Sequence, residues 1–147
     1  MNDALGWLLA VHLAATAVMW TLIAFVQAVH YPMFALVQPD RYREFQTFHM
    51  NRITWIVLPA LACEGLIAGW FVCVQDGLCP TLANVGGGLY LVNFALTFLG
   101  AVPLHERLAT GFDDRTLKRL LRVNLARCAL QTGRLIVAAM LVAMGRV

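Results

Sequence analysis

Four long apolar runs alternate with polar stretches along the chain: Leu5 to Val29, Ile53 to Val74, Leu82 to Val102, and Leu120 to Met144. A helix needs about 20 mostly apolar residues to cross roughly 30 Å of hydrocarbon, so each run is predicted to be a membrane span. The pattern predicts an all-α integral membrane four-helix bundle, with one domain covering residues 1–147. A long polar connection follows the first run, a short one lies around Asp76-Gly77, and a second long one runs from His105 to Arg119. Gln38-Pro39-Asp40 reads as a helix start, with Asp40 near the positive end of the dipole. Asp113-Asp114 makes a similar start after Gly111, a residue suited to stopping the third helix. Pro59 and Pro103 are expected to kink their helices.

The first run is not expected to be a cleavable signal peptide. No basic segment precedes it, and it is longer than such a segment's apolar core. Composition agrees with four spans: 61% of residues are hydrophobic and only 13% charged, more apolar than a soluble domain of this length can bury. Charge adds an orientation. The basic residues Arg41, Arg43, Arg107, Arg115, Lys118, Arg119 and Arg122 crowd the first and third connections. By the positive-inside rule the two long loops are expected to be cytoplasmic and both termini outside, in a cell inner membrane with periplasmic N- and C-termini. Such a distribution sets topology; it is not the basic face of a nucleic-acid partner. Cys73 and Cys79 flank the outer loop and are candidates for either a disulfide or two free thiols. Cys63 and Cys128 read as small packing residues within spans.

Polar residues inside spans are costly and usually face the bundle interior or a cavity. His12, Thr16, Gln27 and His30 fall on one face of the first helix, being separated by near-whole turns. Asn124, Arg127, Gln131 and Arg134 form one stripe on the fourth. His49 and Arg52 precede the second apolar run, Glu64 stands alone inside it, and Asn93 and His105 belong to the third helix. With alternating helix directions, His30, His49, His105 and Asn124 are expected at one end, the cytoplasmic one, with Arg127 near them. Glu64 lies about 22 Å along its helix from His49, and Arg134 roughly 15 Å from Asn124. The two are therefore expected to meet in mid-membrane as an ion pair, with Asn93 close by. This pair is either a buried structural device fixing helix register or part of a functional path. Trp7 and Trp70 fit an interfacial belt, whereas Trp20 and Trp55 are expected deeper, lining a cavity. Gly86-Gly87-Gly88 reads as a site of close helix contact.

Imidazoles from facing helices build metal sites in bundles, so His30, His49 and His105 are candidate ligands for a transition metal. Haem or pigment ligation by His12 or His30 is a further option. Interfacial histidines bonded to carbonyls or headgroups are the plain alternative, and no HxxxH or ExxH motif is present.

Val102-Pro103-Leu104-His105-Glu106-Arg107-Leu108, followed by Leu120, Asn124, Arg127 and Arg134, resembles the C-terminal half of the anthrone-oxygenase-like family. These are small four-helix membrane proteins grouped under a domain of unknown function. The family's Asn-Trp-x-Arg-Thr segment reads here as Asn124-Leu125-Ala126-Arg127-Cys128, without the Trp and Thr. Val29-His30-Tyr31-Pro32, with Phe48-His49 and Arg52, is similar to bacterial relatives carrying a His-Tyr-Pro element. The resemblance implies oxidation of anthrone-like molecules to anthraquinones, without an obvious flavin site.

The leading expectation is thus a membrane-embedded oxidoreductase-like protein whose polar pocket receives a lipophilic aromatic, phenolic or quinone-like molecule. His30, His49 or His105 would take protons or hold a metal, and Arg52 and Arg127 would stabilise oxyanion charge, with Asn124 among the catalytic candidates. Tyr31, Glu64, Asn93 and Arg134 are candidates for holding a cofactor. Two alternatives stand beside it: a non-catalytic cofactor- or lipid-binding subunit of a larger membrane complex or homo-oligomer, and a small transporter using Glu64 and Arg134.

Overall fold

The computed structural model describes residues 3–74 and 78–144. The described residues form four helices long and apolar enough to cross a membrane: α1 Asp3–Leu36, α2 Tyr42–Val74, α3 Pro80–Ala109 and α4 Asp114–Met144. α1 packs on α2, α2 on α3, α3 on α4, and α4 closes back on α1, so the helices form an up-and-down bundle. The short polar connection expected around Asp76-Gly77 lies outside the described residues.

Helix continues through most of what the sequence marks as polar loops. Residues 37–41 and 110–113 are all that remain of the two basic connections. The 33 residues of α2 extend about 50 Å, roughly 20 Å beyond a hydrocarbon core. The polar segments are therefore helical extensions of the spans, because nothing in residues 42–52 or 114–119 breaks a helix. These extensions give the bundle a basic end.

Local chemistry sets the helix ends. α2 starts two residues after Asp40, with the Tyr42 amide donating to the Pro39 carbonyl. Asp113 is the N-cap of α4: its side chain accepts from the backbone N–H and the hydroxyl of Thr116, while its carbonyl accepts from Leu117. α3 ends as expected at Gly111, whose φ of 153° suits a residue without Cβ.

Two π-helical turns interrupt the α geometry, Val26–His30 in α1 and Leu96–Ala101 in α3. Each is followed, two residues after its end, by a proline: Pro32 and Pro103. A proline inside a helix lacks an N–H and its ring presses on the carbonyl four residues back. Widening the preceding turn accommodates both effects. The Tyr31 and Val102 amides accordingly donate five residues back, to the Val26 and Thr97 carbonyls. The extra residue in each turn also rotates the downstream side chains around the helix axis, and Tyr31 and His105 lie just beyond.

Apolar layers alternate with polar ones along the bundle. Leu9, Ile67, Phe71, Val137 and Leu141 fill the end away from the basic connections. Met19, Ile23 and Leu61 fill the middle, and Phe34, Tyr42, Leu108 and Leu120 fill the basic end. Two of the three glycines at 86–88 serve close packing: a Cβ on Gly86 would press on Val137 and one on Gly87 on Val72, whereas Gly88 faces open space. The outer surface is strongly apolar, with Trp55, Leu66 and Leu99 each more than three-quarters exposed. Trp55 thus faces outward rather than lying deep in the bundle. Trp20 lies at the surface too, its indole N–H donating to Thr132 on α4 at 2.9 Å. All four cysteines are free thiols, Cys73 and Cys79 included.

Candidate functional site

Polar side chains gather in two layers. The first lies mid-bundle. Glu64 and Arg134, both essentially unexposed, approach to 3.0 Å across α2 and α4. Gln131 donates to the other carboxylate oxygen of Glu64 at 2.7 Å and accepts from the Asn93 amide at 2.8 Å. The Arg134 guanidinium also lies 4.8 Å from the centre of the Tyr90 ring, and Tyr90 donates to the Leu61 carbonyl. Tyr90 fits there because Gly65 has no side chain; a Cβ would strike its phenol. The expected ion pair is present, with Asn93 joined to it through Gln131. The pairing is imperfect: no guanidinium N–H is aligned on Glu64 Oε2, and Thr16 Oγ1 and His12 Nδ1 also lack hydrogen-bond partners. His12 sits edge-on against Phe71, far from the other histidines along α1.

The second layer lies at the basic end, where α1, α2 and α3 converge. His30 Nε2 and His49 Nδ1 are 2.8 Å apart, one donating to the other. His105 is held from both sides: Tyr31 Oη is 2.8 Å from its Nε2, and Gln46 Nε2 is 2.9 Å from its Nδ1. The His49 and His105 rings stand 5.3 Å apart between centres, so all three expected histidines meet. Gln46, fully buried one turn before His49, was not singled out by the sequence. Its spacing of three residues from His49 was the available signal.

α4 closes this layer. Asn124 donates to Gln27 at 3.0 Å and to the Ile23 carbonyl, while Arg127 donates to Asn124 Oδ1 at 3.1 Å. Arg127 is 5% exposed and its Nε has no hydrogen-bond partner. Asn124 thus aims Arg127 rather than facing the site itself.

This geometry bears on two expectations. The first concerns a metal held by His30, His49 and His105. A metal needs lone pairs of several rings converging on one point about 2 Å away. The His30 and His49 nitrogens face each other, and both nitrogens of His105 are engaged by Tyr31 and Gln46. Among the described residues, no group of three or more His, Cys, Asp or Glu side chains is arranged to hold a metal ion. The second concerns Arg52, which is exposed and stacks 5.3 Å above the Phe48 ring on the outer surface of α2. Its guanidinium is not brought together with the three histidines and Arg127.

A cavity of about 300 Å³ adjoins the second layer. Its inner wall is Tyr31, His105 and Arg127, its sides are Leu61, Thr97 and Ala101, and its mouth lies between Thr54, Leu58 and Phe98. These last three are exposed on the apolar flank of the bundle, so the cavity opens sideways between α2 and α3. The volume is at the lower end of the range for small-molecule pockets. One wall includes the π turn of α3, a feature frequently found at functional sites.

Hydrogen-bond polarity gives the inner wall two states. With the Gln46 amide donating to His105 Nδ1, Nε2 carries the hydrogen and donates to Tyr31 Oη. The Tyr31 hydroxyl then has its own proton to offer a guest. In the opposite tautomer, with the Gln46 amide turned so that its oxygen accepts from Nδ1–H, Tyr31 donates to Nε2, and the Tyr31 oxygen accepts from a guest. The first state suits a carbonyl and the second a hydroxyl, with the Arg127 cation beside either.

The chain matches no protein-family model, and no curated protein or solved structure is significantly similar to it.

Proposed function

We propose that this chain is a membrane-embedded oxidoreductase-like protein that takes a lipophilic phenol, hydroquinone or quinone sideways from the bilayer. The observation that carries the reading is the lateral cavity, apolar along its sides and closed by Tyr31, His105 and Arg127. A flat aromatic guest would lie between α2 and α3 with its oxygen against this wall. In a low-dielectric pocket a fixed guanidinium favours phenolate over phenol, and the reversible Tyr31–His105 bond handles the proton. An electron-rich hydroquinone anion is the form that reacts with dioxygen. Two electrons and two protons pass from the hydroquinone to dioxygen, giving quinone and hydrogen peroxide. The resemblance to anthrone-oxygenase-like proteins points to the same substrate class. In this reading the basic end is cytoplasmic and both termini lie outside, following the arginine bias.

The test is dioxygen uptake by the purified protein in lipid nanodiscs given a naphthohydroquinone, against empty nanodiscs to subtract autoxidation. Loss of one preorganised charge stabiliser lowers such rates by about 100-fold, so Arg127→Gln is expected to fall towards the blank. His105→Ala is expected to fall with it. Uptake that never exceeds the blank, or that both variants leave unchanged, would remove the proposal.

A further inference from the structure

A second hollow lies on a different face of the bundle and opens between α3 and α4 at the basic end. Its volume is about 370 Å³. Leu99, Pro103, Leu104 and Val123 form an apolar floor and wall, and Arg107, Arg119 and Arg122 stand along its margin. It shares no residue with the lateral cavity beside His105.

Three features distinguish this groove from a scatter of surface charge. The first is shape. Gly100 sits in the π turn of α3 against Val123, and a Cβ there would meet that side chain at 3.0 Å. The absence of a side chain brings the helices together at the floor, and the gap widens above it. The second is the charge state. At this end Arg41 pairs with Glu44 at 3.3 Å and Lys118 with Asp114 at 2.6 Å, and of the cations left without a carboxylate it is three that border this one apolar groove. Among the described residues, Arg107, Arg119 and Arg122 pair with no carboxylate. The third is position. Arg119 and Arg122 are three residues apart and so lie one turn apart on α4. Arg107 faces them from α3, and the apolar floor runs from beneath the three cations to Leu99, which is 81% exposed on the apolar flank.

We infer that this groove binds one anionic phospholipid, its phosphate held among Arg107, Arg119 and Arg122 and an acyl chain lying along Leu104, Val123 and Leu99. The recognising chemistry is a fork of guanidinium donors for phosphate oxygens, which arginine supplies in bidentate geometry. The apolar floor selects a phosphate that carries a hydrocarbon tail. Basic pockets between spans are known to take lipid headgroups in this way. The site is independent of the proposed phenol chemistry and stands if that reading fails.

The experiment is native mass spectrometry of the full chain released from nanodiscs containing equal parts phosphatidylglycerol and phosphatidylcholine. Wild type is expected to retain one phosphatidylglycerol. Each basic residue near an anionic lipid contributes about fivefold to binding, so Arg107→Gln/Arg119→Gln/Arg122→Gln is expected to bind roughly 100-fold more weakly. Arg41→Gln/Arg43→Gln, which removes two charges at the same end but outside the groove, is expected to retain the lipid. Thermal melts of both variants establish that each is folded. Equal loss in the two variants would reduce the effect to bulk charge and overturn the site. Retention by the triple variant would overturn it too. So would displacement of the lipid by millimolar inorganic phosphate alone, since the groove would then be reading phosphate without its tail.

Discussion

The mid-bundle layer and the basic-end layer use the same vocabulary of buried polar side chains to opposite ends. Around Glu64 and Arg134 the charges are opposite, in contact and shielded from the exterior, with Gln131 and Asn93 tying three helices to the pair. Around His105 the groups are rings and amides, the Arg127 cation pairs with no carboxylate among the described residues, and a cavity opens onto the layer. A closed, self-neutralising pair fixes which helices meet and in what register. An open layer with an unopposed cation is, in the proposed function, where an anion or a polarised oxygen is received. The contrast bears on the two readings left open for the Glu64–Arg134 pair: in the proposed function Arg134 serves architecture, and Arg127, two turns away on α4, serves binding.

The largest effect expected from breaking this contrast comes from removing half of the closed pair. Glu64→Ala leaves Arg134 buried without its counter-charge, which typically costs about 3–5 kcal/mol. The thermal melt in detergent is expected to collapse, and Glu64→Met/Arg134→Leu is expected to recover most of it. A single variant as stable as wild type would show that water or lipid reaches the pair.

His105→Ala sharpens the other side. It leaves Tyr31 and Gln46 without their partner, a loss of about 1–3 kcal/mol, smaller than the first. Its principal effect is expected in binding: a naphthoquinone titrated into nanodiscs should lose at least tenfold in affinity while Glu64→Met/Arg134→Leu keeps wild-type affinity. The reverse ranking would exchange the roles of the two layers.

How much of this contrast could be read from the sequence depended on periodicity. The approach of Glu64 and Arg134 followed from counting residues along rigid helices, because rise per residue is fixed. The meeting of His30, His49 and His105 followed from alternating helix directions. The two π turns were not legible, since local pattern does not distinguish a widened turn, although Pro32 and Pro103 marked where one was needed. The outward facing of Arg52 was not legible for a related reason. A residue's depth can be counted, but its facing depends on helix phase, and Arg52 stands three residues beyond His49 yet turns outward. The lateral cavity itself was invisible although its inner wall, Tyr31, His105 and Arg127, was marked, because the space between α2 and α3 depends on helix packing and on unmarked side chains such as Ala101 and Leu61.

The smallest effect concerns neither layer but the start of the helix that carries both arginines. Hydrogen bonds from the Thr116 hydroxyl and amide hold the Asp113 carboxyl below the usual carboxylate range. A carboxyl with a depressed folded-state pKa contributes stability that is full above its unfolded value and is lost as pH falls through the folded one. A slight acid-side loss of melting temperature is therefore expected in wild type and absent in Asp113→Asn, which keeps the cap without a titrating group. An identical acid profile in the two proteins would assign the loss elsewhere.

The most direct measurement of the central claim is where a lipophilic guest sits. A photoreactive naphthoquinone, activated in nanodiscs and mapped by peptide mass spectrometry, is predicted to label Met50, Thr54, Leu58 and Phe98. That labelling should be lost with excess unreactive quinone and in Arg127→Gln. Labelling confined to outward residues such as Trp55, Leu66 and Leu99, insensitive to competitor, would mean that the quinone only dissolves in the bilayer and that the cavity beside His105 is not its site.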